Sequence, residues 1–154
     1  MIRTRFPLAV VLTLSTFVAV GCRKEEVPPA DSAAAAPAPP PAAMVTTIET
    51  GKHIDANKRI VDTATAFAPR DTMYVSVITM NATPTTTLKS IVTHESGAVV
   101  DSSTQVVALP ATTGGSSVTE FHLVKPSGWP TGSYTVEVWL DGQSAGTRTL
   151  TVKR

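Results

Sequence analysis

From residue 45 to the C-terminus, apolar and polar residues alternate in short runs separated by turn-forming clusters. In Tyr134-Thr135-Val136-Glu137-Val138-Trp139-Leu140, the residues Tyr134, Val136, Val138 and Leu140 share one face, while Thr135, Glu137 and Trp139 share the other. Met73, Val75 and Val77 align in the same way, as do Leu88 and Val92, Phe121 and Leu123, and Leu150 and Val152. A period of two residues belongs to strands, and no long 3.6-residue stripe competes with it. The pattern predicts strands over 45–50, 59–63, 72–80, 86–94, 104–108, 118–125, 133–140 and 146–152. Asp141-Gly142 between two alternating runs is the strongest hairpin signal, because a type I′ turn needs positive φ at both central residues. One apolar face per strand implies two sheets closed over a common core.

The pattern is different before residue 45. Arg3 and Arg5 are followed by an uncharged, mostly apolar run over 7–20, too short to cross a hydrocarbon core of ~30 Å comfortably. Small residues then lead to the chain's single cysteine in Ala19-Val20-Gly21-Cys22. Residues 27–43 hold six of the twelve prolines, with alanine nearly filling the gaps. Such a segment has almost nothing to bury and should be extended, partly polyproline II, reaching on the order of 50 Å at ~3.1 Å per residue. The organisation expected is a signal peptide at 1–21, a cysteine and Pro/Ala-rich linker at 22–44, and a β-sandwich domain at 45–154. A length of 154 residues leaves room for one ordinary domain.

In Ala19-Val20-Gly21-Cys22 the N-terminus resembles a bacterial lipoprotein precursor. AVGC is similar to the lipobox that the lipoprotein signal peptidase cuts before a diacylglyceryl-modified cysteine, with Ala19 where Leu is usual. The resemblance implies a mature chain that starts at a lipidated Cys22 and is anchored by its acyl chains. It also implies transport to the outer membrane, since Arg23 is not the inner-membrane retention Asp. The alternatives are an ordinary secretory peptide with an incidental cysteine, or an uncleaved single-span anchor. Cysteine usage favours the lipoprotein: the one cysteine sits at the lipidation position, which leaves no disulfide framework.

The 110-residue remainder resembles an immunoglobulin-like or fibronectin-like sandwich of 7–8 antiparallel strands. The carrying residues are Gly128-Trp129-Pro130-Thr131-Gly132-Ser133-Tyr134. The resemblance implies that Tyr134 begins the penultimate strand and that Trp129 covers the end of the core. The inter-sheet cysteine pair of antibody domains is missing from the sequence. A looser resemblance to small sandwich domains of uncharacterised bacterial lipoproteins rests on Phe67–Tyr74, Gly128–Pro130 and Tyr134–Gly142, and implies no activity.

Candidate chemistry is sparse. A net charge of +1 and 16% charged residues provide no field for nucleic acid. His53, His94 and His122 lack the convergent spacing of a zinc site; His94 and Glu95 should point to opposite strand faces, and His122 should be solvated. The aspartates are spread over separate turns, and the glycines of 112–116 open no helix. Asn81-Ala82-Thr83 matches the glycosylation triplet, but the lipobox resemblance implies a bacterial chain, where that triplet usually carries no meaning. Trp139, on the polar face beside Ile91, is the candidate binding surface, with the 112–116 loop as a further contact. The competing reading packs Trp139 against residues 51–57 or a neighbouring strand.

The expectation is a non-enzymatic, lipid-anchored protein of the bacterial cell envelope, in the outer membrane and facing the periplasm or cell surface. It needs no metal or cofactor, and its partners are the membrane through lipidated Cys22 and an envelope protein or glycan. The alternative is a small envelope hydrolase or carbohydrate-binding accessory domain. A third reading is an assembly subunit paired through an open sheet edge such as the C-terminal strand.

Overall fold

The structure, a computed structural model, describes residues 38–109 and 115–154. The expected signal peptide, Cys22, most of the expected linker and residues 110–114 lie outside them, and so does most of the 112–116 loop. Eight strands follow one another: β1 (Met44–Gly51), β2 (Ala66–Phe67), β3 (Met73–Met80), β4 (Thr87–His94), β5 (Val99–Val106), β6 (Ser116–Leu123), β7 (Gly132–Leu140) and β8 (Gln143–Val152). They form a three-stranded sheet in the order β1-β3-β6 and a five-stranded sheet in the order β2-β8-β7-β4-β5. All pairings are antiparallel except the short β2–β8 contact. β4–β5 and β7–β8 are hairpins, and the chain crosses between sheets at its other long connections.

The alternation puts the expected residues in the core. Met73, Val75, Val77, Phe121 and Leu123 come from one sheet; Leu88, Val92, Tyr134, Val136, Val138, Leu150 and Val152 come from the other. The β7–β8 turn is the predicted one, with φ of 47° at Asp141 and 82° at Gly142. The Asp141 carboxylate adds a tie by accepting hydrogen bonds from the Thr87 N–H at 2.7 Å and the Thr87 hydroxyl at 3.2 Å.

Two strand expectations need correction. Residues 59–63 are not a sheet strand but the returning arm of an excursion, joined to residues 51–54 only through the bridges Ile54↔Ile60 and Gly51↔Thr63. Asp55 closes its tip by accepting from the N–H groups of Asn57 and Arg59 at 2.8 and 2.9 Å. The excursion covers the outer face of β3, where Ser76 donates its hydroxyl to the Lys58 carbonyl at 2.9 Å. The strand predicted at 104–108 is β5, which starts at Val99 and is eight residues long. Its core-side residues Asp101, Ser103 and Gln105 sit opposite Val92, Ser90 and Leu88, so the apolar alternation that would have marked it is missing.

The approach to β7 locks one end of the sandwich. The Tyr134 side chain is fully buried, and its hydroxyl donates to the Pro130 carbonyl four residues upstream at 2.7 Å. Trp129 lies edge-on to the Tyr134 ring, with centroids 5.7 Å apart, and donates its indole N–H to the Asp71 carbonyl at 3.1 Å. A buried tyrosine tied back to the chain that enters its own strand is the tyrosine corner of immunoglobulin-like sandwiches.

Candidate functional site

Trp139 and Ile91 both emerge on the outer face of the five-stranded sheet, and both are half-buried. Lys89 is directly across from Trp139, and Glu137 is across from Ile91, so the tryptophan and isoleucine are diagonal neighbours. Together with Thr87, Thr104 and Gly142 they line an open concavity of about 350 Å³. The residue types suit a ligand with both apolar and polar faces: an indole and a branched alkyl surface flanked by hydroxyls and one ammonium group. The Glu137 carboxylate beyond Ile91 accepts from the Ser144 hydroxyl at 3.1 Å. The indole N–H of Trp139 is covered and finds no acceptor among the described residues.

Residues 51–63 lie over the other sheet, so the packing partners of Trp139 are strand side chains and not that segment. Sequence parity placed Trp139 and Ile91 outward. Lys89 and Thr87 share Ile91's parity and were open to the same reading. The position of Thr104 depends on the register of β4 with β5, which no local signal reveals.

A second concavity has its arginine and a threonine engaged. A hollow of about 370 Å³ along the β1–β8 side is lined by Ile48, Glu49, Thr50, 63–65 and Arg148. There Arg148 donates to the carbonyls of Ile48 and Thr147, both at 2.9 Å, and Thr50 donates to that of Ala64 at 2.8 Å. No group of three or more His, Cys, Asp or Glu side chains suited to a metal ion occurs among the described residues. His53 pairs with Asp62 at 2.9 Å, and the exposed His122 ring stacks on Tyr74 with centroids 4.9 Å apart. His94 and Glu95 do not diverge as strand parity suggested. β4 ends at His94, and both side chains turn onto Gly132, where Glu95 accepts from the Ser133 N–H at 2.8 Å. That carboxylate, after burial itself, helps push the Tyr134 hydroxyl above its ordinary pKa.

Two carboxylates tie down the excursion and the chain entering β3. Asp62 is held below the ordinary carboxylate range chiefly by the hydrogen bond from His53, against a smaller opposing effect of desolvation. Asp71 is lowered chiefly by Lys52, whose ammonium group lies 2.7 Å away, and then by the Ala68 N–H. A lowered native pKa contributes stability that is complete above the unfolded value and disappears as pH falls through the native one. Amide protection at His53 and Ala68, the N–H groups bonded to these carboxylates, should therefore fall first as acid is added below about pH 4. Protection at both sites that outlasts the sheet amides in an acid series of hydrogen-exchange measurements would contradict this.

No family model matches the chain, and no curated protein does either. Solved structures do. An immunoglobulin-like protein from Pseudomonas aeruginosa is 12% identical with a TM-score of 0.52, over 74% of this chain and 98% of that one. The C-terminal domain of wzt is 10% identical with a TM-score of 0.51, over 73% of this chain and 74% of that one. The fold is an immunoglobulin-like β-sandwich. Identities this low establish the fold alone. A DNA glycosylase from Pseudomonas fluorescens, bound to DNA containing an abasic site analogue, aligns at 10% identity and a TM-score of 0.47 over 73% of this chain. This chain spans only 30% of that enzyme's length.

Proposed function

We propose that this immunoglobulin-like domain is a non-enzymatic binding module of the bacterial envelope, held to the outer membrane by a lipidated Cys22 and spaced from it by the Pro/Ala linker. The observation that carries the binding role is the groove on the five-stranded sheet, where Trp139, Ile91 and Lys89 meet on a rigid surface. The anchor is supported by the AVGC sequence and by the placement of the sole cysteine in it. Several acyl chains contribute ~0.8 kcal/mol per buried methylene, enough together for stable attachment. An envelope glycan is the second reading of the same groove, because hydroxyl-flanked aromatic platforms suit the mixed faces of sugar rings.

Two measurements separate anchor from binding. Intact mass and membrane fractionation of the wild type beside Cys22→Ala should show a lipid increment on a chain starting at Cys22, absent in the variant; a soluble mature chain without added mass would refute the anchor. Tryptophan fluorescence, titrated with purified envelope polysaccharide and separately with solubilised outer-membrane proteins, should change in the wild type. Trp139→Ala should weaken that binding on the order of tenfold or more, the size of an aromatic anchor's truncation. Equal affinity in the two proteins removes the groove from the proposal.

A further inference from the structure

β5 is a long sheet edge whose one irregularity lies near its start, at Val100 between Val99 and Asp101. Val107 donates its backbone N–H to the Thr86 carbonyl at 2.9 Å, which fixes the alternation along the hairpin. Residues 101, 103 and 105 therefore turn their N–H and C=O groups to β4, while Ser102, Thr104 and Val106 turn theirs outward. Among the described residues nothing bonds to that outer edge. Val99 and Val106 are 61% and 63% exposed, and 99–106 contains no Pro, Lys or Arg.

The other edges are blunted. β1 carries an irregularity between Val45 and Thr47, and Arg148 occupies its Ile48 carbonyl. β2 is only two residues long, and it covers the end of β8. β6 lends its Glu120 carbonyl to the Gln105 amide at 2.7 Å, so β5 shields that edge. The C-terminal strand expected to offer the open edge is paired with β2 at Thr151 and Val152, and Arg148 ties it to β1; β5 has neither kind of cover.

We propose that β5 is a self-association edge, where two copies of this chain pair antiparallel about Ser103 and merge their five-stranded sheets into one. A two-fold axis through Ser103 is compatible with the side-chain parity of both strands and makes an isologous interface. It sets Ser102 opposite Thr104 of the second copy. Charge selects the second copy as the occupant. The single charged residue of β5, Asp101, meets Gln105 of the other copy, leaving the two carboxylates about four residues apart along the ladder, roughly 14 Å. On the core side Asp101 and Ser103 then lie in the gap between the two three-stranded sheets, while Gln105 stays bonded to the Glu120 carbonyl of its own copy. A single edge contact buries less than a standard interface of ~1,200–2,000 Å², so the equilibrium is weak and concentration-dependent.

The test is sedimentation velocity on the full chain in mild detergent, over a concentration series, with two variants. Wild type should shift from monomer toward dimer. Ser102→Lys combined with Thr104→Lys places like charges opposite each other at two cross-strand sites. This should raise the dimer dissociation constant on the order of tenfold while thermal unfolding stays unchanged, since Thr104 and Ser102 are exposed. In a Cys22→Ala background, Ser103→Cys should oxidise to a disulfide dimer, because a non-hydrogen-bonded pair brings its Cα atoms to ~4.5 Å. Ser102→Cys should not. A wild type that stays monomeric at all concentrations overturns the proposal. A dimer indifferent to the lysines, or one that Ser103→Cys fails to cross-link, overturns it equally by placing the contact elsewhere.

Discussion

Replacing Trp129 with alanine should cost about 3–5 kcal/mol of folding stability, the range for emptying a buried aromatic site. Trp129 is 3% exposed and closes the end of the sandwich against Tyr134. Three further ties depend on its position: the indole N–H to the Asp71 carbonyl, the backbone N–H to the Pro69 carbonyl at 2.7 Å, and the Lys125 ammonium 5.9 Å from the ring centre. The first and third disappear with the side chain, and a cavity opens beside the Tyr134 ring. The loop that enters β7 and the segment that enters β3 are then held together by backbone alone. Urea unfolding should show a large drop in midpoint with an unchanged m-value, the sign of lost stability without a change in cooperativity. Trp139→Ala provides the internal comparison. Trp139 is only half-buried on the outer face and leaves its indole N–H without an acceptor, so its truncation should cost well under half as much. A Trp129→Ala protein within about 1 kcal/mol of wild type would show that the corner does not hold that end of the core.

That contrast between two tryptophans was visible in the sequence. Trp139 sits in an alternating run whose opposite face is Tyr134, Val136, Val138 and Leu140, so parity alone turned it outward. Trp129 lies in a Gly/Pro-flanked loop just before a strand-initiating tyrosine, a placement that has a meaning only within the sandwich. The apolar faces of β3, β4, β6, β7 and β8 were legible for the same reason as Trp139: each strand buries one side. β5 was only half legible. Both its faces are polar through Asp101-Ser102-Ser103-Thr104-Gln105, although the inward residues sit opposite Val92, Ser90 and Leu88, and Gln105 spends its amide on the Glu120 carbonyl of the other sheet. Such an edge strand has no hydrophobic period to read, and only its pairing with β4 reveals it.

The groove was legible in two of its residues. Trp139 and Ile91 could be named from parity, but Thr104 and Gly142 come from two further positions in the chain, joined by register and by the β7–β8 turn. The 59–63 run shows the opposite error. Its Ile60 and Val61 looked like a strand, but the Asp55 tip folds the run back on residues 51–54, where it pairs through isolated bridges. Local alternation cannot distinguish an arm that joins a sheet from one that lies across it.

The return of that arm against the end of β1 gives Gly51 a closer Cβ approach than Gly128, Gly132 or Gly146. A Cβ at Gly51 would meet the Asp62 carbonyl oxygen and the Ile60 Cγ2 at distances no side chain tolerates. The obstruction is steric: Gly51 is not among the positive-φ glycines. Gly51→Ala should therefore destabilise by at least about 3 kcal/mol, the upper part of the over-packing range, because one of the clashing atoms is backbone. The excursion would have to lift off β3, and the Ser76 hydroxyl, buried beneath it, would lose the Lys58 carbonyl. Gly97→Ala isolates the other cause of glycine dependence. Gly97 has a φ of 84° with no atom near its Cβ position, so that substitution should cost only about 1 kcal/mol of left-handed strain. Denaturant unfolding of the pair, with hydrogen exchange at 51–63, distinguishes the two mechanisms. Gly51→Ala should release protection across the excursion, whereas Gly97→Ala should leave it intact. Equal and small costs for both would mean that the arm yields freely, and that residues 51–63 are not packed on the sheet as the contacts at Gly51 require.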